Sequence, residues 1–422
     1  MILFYILLAV MPLAAHPLLG GDGGNLTVFK FFGLASSLYA IYYLSAVRTA
    51  EMPAFGAWPC RLFFAFYLIA VLSSITSSTK TAELAPLFSF TSFLSLFFVT
   101  AVLVDSERRL RWVLITVGAS VALASAYTIR EWQLYHAVYA GFRPGFIAGD
   151  SNYFAISALQ CLPIAYYLVL DPKRPWERWF WAGCLVSLLA ASALASSRGG
   201  FLGMVAAFLF IVWNSKRRFR NLVFSGVLLT PVMFFVPQSP LDRLLHPTYA
   251  DDVGRHAREV TWKAGLRMIQ QHPISGIGLG SFKPLVVSYE DSGEQVVNMA
   301  HNTYIEIAAE MGIPALLLFL GIIGSSYHLL QVVRKRTAAI GPRLVNQVAV
   351  GLQASIIGCS VAIFFCPGTY QKAVWLNVAL ALALPPLVSR RARQLRAQAS
   401  ARQANAPRAP GRQLVPSMRE VQ

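Results

Sequence analysis

Apolar runs close to twenty residues long recur from one end of this chain to the other, and they decide what it can fold into. A helix needs about 20 residues to cross a bilayer. Within lipid every backbone polar group must be satisfied internally, which leaves helices or closed barrels. The runs are continuous rather than alternating, so they are helices. Of 422 residues, 56% are hydrophobic and 13% charged, against about a quarter charged in soluble domains. The expected fold is an all-α polytopic membrane protein with about twelve transmembrane helices and one large outer loop containing amphipathic helices.

Apolar length and polar punctuation place the twelve spans near 1–19, 26–47, 61–78, 84–104, 110–129, 153–170, 179–197, 199–213, 221–237, 303–331, 344–366 and 371–388. The first run lacks a cationic stretch before it, so it reads as a span and not as a cleaved signal peptide. The chain then divides into helices one to nine (1–237), a large periplasmic loop (238–302), helices ten to twelve (303–388) and a basic tail (389–422). The tail is polar and without periodicity, so it is expected to be disordered.

Lys and Arg set the orientation. The connections that share a side with both termini carry 2, 3, 3, 4, 4 and 8 of them, 24 of the chain's 36. The short connections on the other side, GGDGG, STKTAE and CPGTYQ, are nearly neutral. Both termini are therefore expected on the cytoplasmic face. The net charge of +17 is mostly this orientation signal, and it is no reason to expect nucleic acid; contact with anionic membrane lipids is the plainer role for the tail. Cys60, Cys161, Cys184, Cys359 and Cys366 lie in or beside apolar runs with no CxxC spacing. They read as small buried residues rather than as disulfides or a zinc site.

Two outward connections are too long to be turns, 130–152 and 238–302, and chemistry is sought there. In the larger one, Trp262, Leu266 and Ile269 form an apolar stripe at helical spacing. Arg255, Arg258 and Arg267 share that segment, Pro273 stops it, and the glycine turn SGIGLGSF follows. The expectation is an amphipathic helix on the outer membrane surface, its arginines held at headgroup depth. Arg198, in SSRGGFLG, interrupts an apolar stretch at the outer surface. The two glycines after it would let backbone approach a ligand closely. A snorkelling interfacial Arg is the plain alternative. Arg143 and Asn152 stand at the outer start of span six, where a loop salt bridge would explain them equally well.

In MAHNTYIEIAAEMGIPA (299–315), Asn302 is a sound N-cap. His301 can exchange a proton near neutral pH. Glu306 and Glu310 share one helical face below it, where a carboxylate would hold the ring in one tautomer. A capped helix end with carboxylates paired to arginines is the alternative. Several guanidiniums and one imidazole at the outer rim suit a pyrophosphate, and at the mouth of an apolar cavity that means a polyprenyl-linked one. The chain has no Gly-Lys pair for a P-loop, no His-Glu-x-x-His, no Asp-x-Asp and no Gly-x-Ser-x-Gly, so no metal site is expected.

The order of three pieces, SSRGGFLG, then WKAGLRMIQQHPISGIGLGSF, then HNTYIEIAAEMG, resembles the bacterial O-antigen ligase and polymerase superfamily, which includes protein O-oligosaccharyltransferases. His301, Asn302 and Gly312 fit the ligase pattern, while Ala315 stands where that pattern has Gly, Thr or Tyr. The resemblance covers roughly 140–315. It implies a multi-pass inner-membrane enzyme that takes a glycan from undecaprenyl pyrophosphate at the periplasmic face. The acceptor hydroxyl would be on lipid A–core, a growing glycan or a protein, and no nucleotide, metal or cofactor is needed. Arg198 and a loop arginine would clasp the leaving group, and His301 would assist the acceptor. A transporter of the same lipid is the rival from another class; its ionisable groups would lie near mid-membrane, where Lys30 and the two glutamates are the main candidates. A structural membrane partner without activity is the third reading.

Overall fold

A computed structural model describes residues 1–13, 28–47, 55–76, 84–139, 142–145, 150–234, 240–291, 293–294, 296–340 and 343–404. Among them the protein is helical, with no strand. The α-helices are α1 Ile2–Val10, α2 Val28–Tyr42, α3 Trp58–Thr76, α4 Leu84–Leu103, α5 Glu107–Tyr135, α6 Ser151–Leu170, α7 Pro175–Leu194, α8 Arg198–Trp213, α9 Arg218–Phe234, α10 Pro240–Leu245, α11 Tyr249–Gln271, α12 Phe282–Leu285, α13 Thr303–Ile340, α14 Arg343–Ala362 and α15 Lys372–Ala404. Each of the twelve apolar runs overlaps a helix. Seven of these helices are long and apolar enough to cross a membrane, and α1 and α8 are shorter apolar helices. Residues 14–19 of the first run, the connections GGDGG and 77–83, and the tail beyond residue 404 lie outside the described residues.

Two differences have local causes. The last helix continues through residues 389–404, a stretch expected to be disordered; its Ala, Arg, Gln and Leu content favours helix even without a periodic apolar face. The tenth run extends to Ile340 but is broken at Gly312, where φ is 83° and ψ 168°.

Aromatic packing fixes the middle of the bundle. Trp375 of α15 is met by Phe63 at 4.9 Å, Phe93 at 5.4 Å and Phe319 at 5.9 Å between ring centroids, from α3, α4 and α13. Elsewhere small residues let helices touch: a Cβ on Gly203 of α8 would lie 2.5 Å from the Gly358 carbonyl of α14, the close-approach packing common between membrane helices. The outward faces stay apolar, as with Phe31, Leu34, Leu38 and Ile41 on α2, which suits a lipid surround. Cys161, Cys184, Cys359 and Cys366 are buried, Cys60 is half-buried, and all are free thiols.

Candidate active site

Helices α6, α8 and α11 start near one another, and the turns before them build the site. Asp150 caps α6 by accepting from Asn152 N–H at 2.6 Å. Ser197 caps α8, accepting from Gly200 N–H at 3.1 Å, and donates to Asn152 Oδ1 at 2.8 Å. Thr248 and Asp251 form a capping box on α11. Ser196 holds a left-handed φ of 51°, a conformation that is uncommon outside glycine and clusters at functional turns. Two guanidiniums grip this turn: Arg143 Nε donates to the Ala195 carbonyl at 3.3 Å, and an Arg243 Nη donates to the Ser196 carbonyl at 2.8 Å.

The result is a cleft of about 600 Å³ lined by Arg143, Arg198, Arg243, Arg255, Arg258 and Lys263, against two acids, Asp251 and Glu259. Its remaining wall is apolar, with Leu202, Trp262, Leu266 and Phe365. Asp251 is wholly buried; it pairs with Arg243 and sits 3.4 Å from Arg198. Burial would raise its carboxyl, but hydrogen bonds from Arg243 and Thr248 prevail and hold it at about 2. Arg258 is half-buried, and among the described residues it pairs with no carboxylate. Cation crowding disfavours the charged guanidiniums here. Burial, with the charges of Arg243, Arg258 and Arg198, depresses Arg143 to about 10 despite Asp150. Burial and Arg198 lower Arg258 as well. Such a site is short of negative charge and would gain by taking up an anion.

His301 is not on the cleft wall but lies within electrostatic reach of Arg258 and Asp150. Its φ of 48° is left-handed, and its Nδ1 is buried without a hydrogen bond. Burial and then Arg258 lower its pKa from 6.5, which favours the neutral ring near pH 7. The turn is held from three sides. Trp262 Nε1 donates to the Ala300 carbonyl at 2.7 Å. Asn302 Oδ1 accepts from Tyr304 and Ile305 N–H at 3.0 and 3.2 Å, so it is the N-cap the sequence indicated. Thr303 Oγ1 donates to the Cys366 carbonyl at 2.9 Å and accepts from Gly368 N–H at 2.6 Å, tying α13 to the α14–α15 connection.

The glycine turn and the kink in α13 form one unit. The N–H groups of Ile277 and Gly278 donate to the carbonyls of Ala309 and Glu310 at 2.9 and 3.0 Å, and Ile313 N–H donates to the Pro273 carbonyl at 2.8 Å. A Cβ on Gly312 would fall 2.1 Å from the Ile274 carbonyl. This explains why a glycine must stand ten positions beyond Asn302.

The structure gathers Arg143, Asn152, Arg198, Arg255, Arg258 and Trp262 around one cleft and separates others from it. Arg267 turns away, donating to the Tyr289 carbonyl at 2.7 Å and pairing with Asp291. Glu310 accepts from Phe282 N–H at 3.1 Å and so pins the glycine turn. Glu306 is fully buried, and neither carboxylate oxygen has a hydrogen-bond partner, so no hydrogen bond joins it to His301. Gly199 lines the cleft beside Arg198, and both glycines also serve packing: a Cβ on Gly199 would meet Phe365 at 2.7 Å and one on Gly200 would meet Ala155 at 2.4 Å. Sequence reasoning missed Arg243, Asp251 and Thr303. The only signal for the first two was an Arg on a short apolar segment eight residues before an acid.

Residues 183–320, which include Arg198, Arg243, Asp251, Arg258, His301 and Gly312, match a family model described as O-antigen ligase. The match over this part of the chain supports a glycosyltransferase of the ligase or polymerase type. A comparison with curated proteins gives no significant match.

Proposed function

With the match to an O-antigen ligase family model as the premise, we propose that the protein moves a glycan from undecaprenyl pyrophosphate to a hydroxyl of lipid A–core at the periplasmic face of the inner membrane, without metal or nucleotide. The observation that carries this is the cleft itself, where guanidiniums in surplus over acids face an apolar wall. A pyrophosphate fits the first and a polyprenyl chain the second. The orientation read from Lys and Arg, with both termini cytoplasmic, supports a periplasmic position for this cleft.

In the proposed reaction the acceptor oxygen attacks the anomeric carbon and the bond from that carbon to the pyrophosphate oxygen breaks. The leaving pyrophosphate takes the electron pair, and Arg198 and Arg258, with Arg143 and Arg243 beside them, neutralise the charge that develops. Donors fixed in advance around a developing oxyanion are a strong source of rate. The neutral ring of His301 takes the hydroxyl proton. The left-handed turn at 301, held by Trp262 and capped by Asn302, fixes the backbone that carries the ring.

Purified protein given a labelled lipid-linked glycan and lipid A–core, with and without a chelator, tests this. Glycan transfer needing no energy source in both arms is expected. Movement of the lipid across a vesicle membrane without transfer would replace the enzyme with a transporter. Ala315 departs from the ligase pattern, and the same chemistry serves a polymerase. Expressing the chain in ligase-null and polymerase-null hosts separates the two, with a restored glycan ladder on lipid A–core expected.

A further inference from the structure

Asp251 has no place in the reaction just described, yet it is the best-connected residue of the cleft. Its Oδ2 accepts from Thr248 N–H at 3.1 Å, from Thr248 Oγ1 at 2.9 Å and from Arg243 Nε at 3.4 Å. Its Oδ1 meets the Arg243 fork and, at 3.4 Å, Arg198. Arg243 and Thr248 therefore hold the carboxylate firmly, Arg243 also being tied to the Ser196 carbonyl. Arg198 is held loosely: one contact, longer than the 2.7–2.9 Å of a good charged hydrogen bond, on a side chain that is 24% exposed. Glu259, the other lining acid, is exposed and pairs with Lys263 at 2.8 Å.

From this asymmetry we propose that Asp251 is a positioning residue that acts through Arg198. It is an internal counter-anion that holds the Arg198 guanidinium between turnovers, yields it to the diphosphate of an arriving polyprenyl lipid, and takes it back as the product leaves. The carboxylate and the diphosphate compete for one guanidinium, so the acid weakens binding of substrate and product alike. What it provides is release: four arginines with no competing acid would keep the diphosphate product. Arg243 fixes the carboxylate in place, so that the exchange moves Arg198 and not α11.

This inference rests on the proposed function, and its test separates the two. Asp251→Asn keeps the shape and an oxygen that can accept from Thr248, but removes the charge. Undecaprenyl pyrophosphate binding to the purified protein is measured directly, followed by steady-state and burst kinetics of transfer. Asp251→Asn is expected to bind the lipid roughly tenfold more tightly, as loss of a nearby like charge predicts. It should also show a lower kcat, a lower KM and a burst of first-turnover product. A purely structural role would give weaker binding or no burst. Thr248→Val keeps every cation of the cleft and removes the hydroxyl that holds the carboxylate back, so Asp251 pairs more fully with Arg198 and binding is expected to weaken severalfold; it remains informative where Asp251→Asn does not fold. Unchanged or weaker binding in Asp251→Asn, or unchanged or tighter binding in Thr248→Val, overturns the inference alone. Failure of the unaltered protein to bind the lipid overturns the proposed function with it.

Discussion

Two charged clefts lie at opposite ends of helices α6 and α14, and they are built differently. The one above gathers six cations against two acids. The other, about 490 Å³, brings Arg111, Lys173, Arg343 and Arg391 together with Glu107, Asp171 and Glu177. There the acids come closer to matching the cations in number: Arg111 donates to both oxygens of Glu177 at 2.6 and 2.9 Å, and Arg343 sits 4.0 Å from Asp171. Both clefts are rich in arginine, so arginine alone does not mark a binding site. The surplus over nearby carboxylate does, because a satisfied guanidinium has little to gain from a ligand.

The comparison is broken first, and most severely, by truncating Arg258, which pairs with no carboxylate among the described residues, Arg198, which Asp251 holds only loosely, and His301. Arg258→Ala and Arg198→Ala are each expected to lower kcat by about 10²–10³, the usual cost of losing one charged donor to a developing oxyanion. His301→Ala is expected to abolish transfer. Each variant should still insert and melt near the parent temperature, since none of these side chains anchors the core. Normal glycan ladders from any one of them in a deletion strain would strike that residue from the mechanism.

At the other end the expected cost is in stability. Arg111 and Glu177 are largely buried, with side chains 15% and 4% exposed. Glu177→Ala leaves a guanidinium without its partner, and about 3–5 kcal/mol is the usual penalty for breaking a buried pair. Thermal melting in detergent should show that loss while KM for the lipid-linked glycan stays put. A raised KM instead would mean that the two clefts are coupled. Gly312→Ala belongs with the stability variants too. A left-handed φ costs about 1–3 kcal/mol for a residue with a side chain, and the Cβ overlap with the Ile274 carbonyl adds to it, so the variant should melt lower and accumulate poorly.

Titration sharpens the contrast further. The folded pKa of His301 lies below the unfolded value of 6.5, so the fold disfavours the charged ring. As pH falls through 6.5 the unfolded chain takes up this proton first, and the stability tied to the neutral ring is lost. The acid limb of kcat/KM should accordingly fall below pH 6.5, and a limb above it would contradict a depressed imidazole. Among its described lining residues the other cleft holds no imidazole.

Much of this was legible in the chain, and the gaps have physical causes. Apolar length located every helix that overlaps a run, because backbone in lipid has few alternatives. Arg198 and His301 stood out because ionisable groups beside long apolar runs are costly and rarely idle, whereas Arg258 was one of three arginines on the loop helix that the sequence could not rank. Helix boundaries were less clear where capping residues, such as Ser106 of α5, lie outside the apolar stretch. Gly199 and Gly200 were read as room for a ligand, but a missing Cβ serves a neighbouring helix equally well, and only the packing distinguishes the two. The pairing of Glu306 or Glu310 with His301 failed because a shared helical face says nothing of what lies across from it. Arg243 was invisible for the same reason: it reaches the cleft through the Ser196 carbonyl before α8, 47 residues away in sequence.

The smallest expected effects come from two arginines that share α11 with Arg258. At 100° per residue, Arg267 lies half a turn round from Arg258, and it is spent on Tyr289 and Asp291. Arg255 does line the cleft, but its side chain is 68% exposed and pairs with Asp252 one turn back. An exposed pair of this kind is worth about 0.2–1 kcal/mol, so Arg255→Ala should change KM for the lipid-linked glycan less than about fivefold and leave kcat alone. Arg267→Ala should leave both alone and lower stability by about 1 kcal/mol, the net worth of a hydrogen bond. Measured beside Arg258→Ala under one set of conditions, the three form a series on a single helix. Should Arg255→Ala prove as damaging as Arg258→Ala, proximity to the cleft would matter more than freedom from a carboxylate, and the contrast between the two ends of the molecule would need another basis.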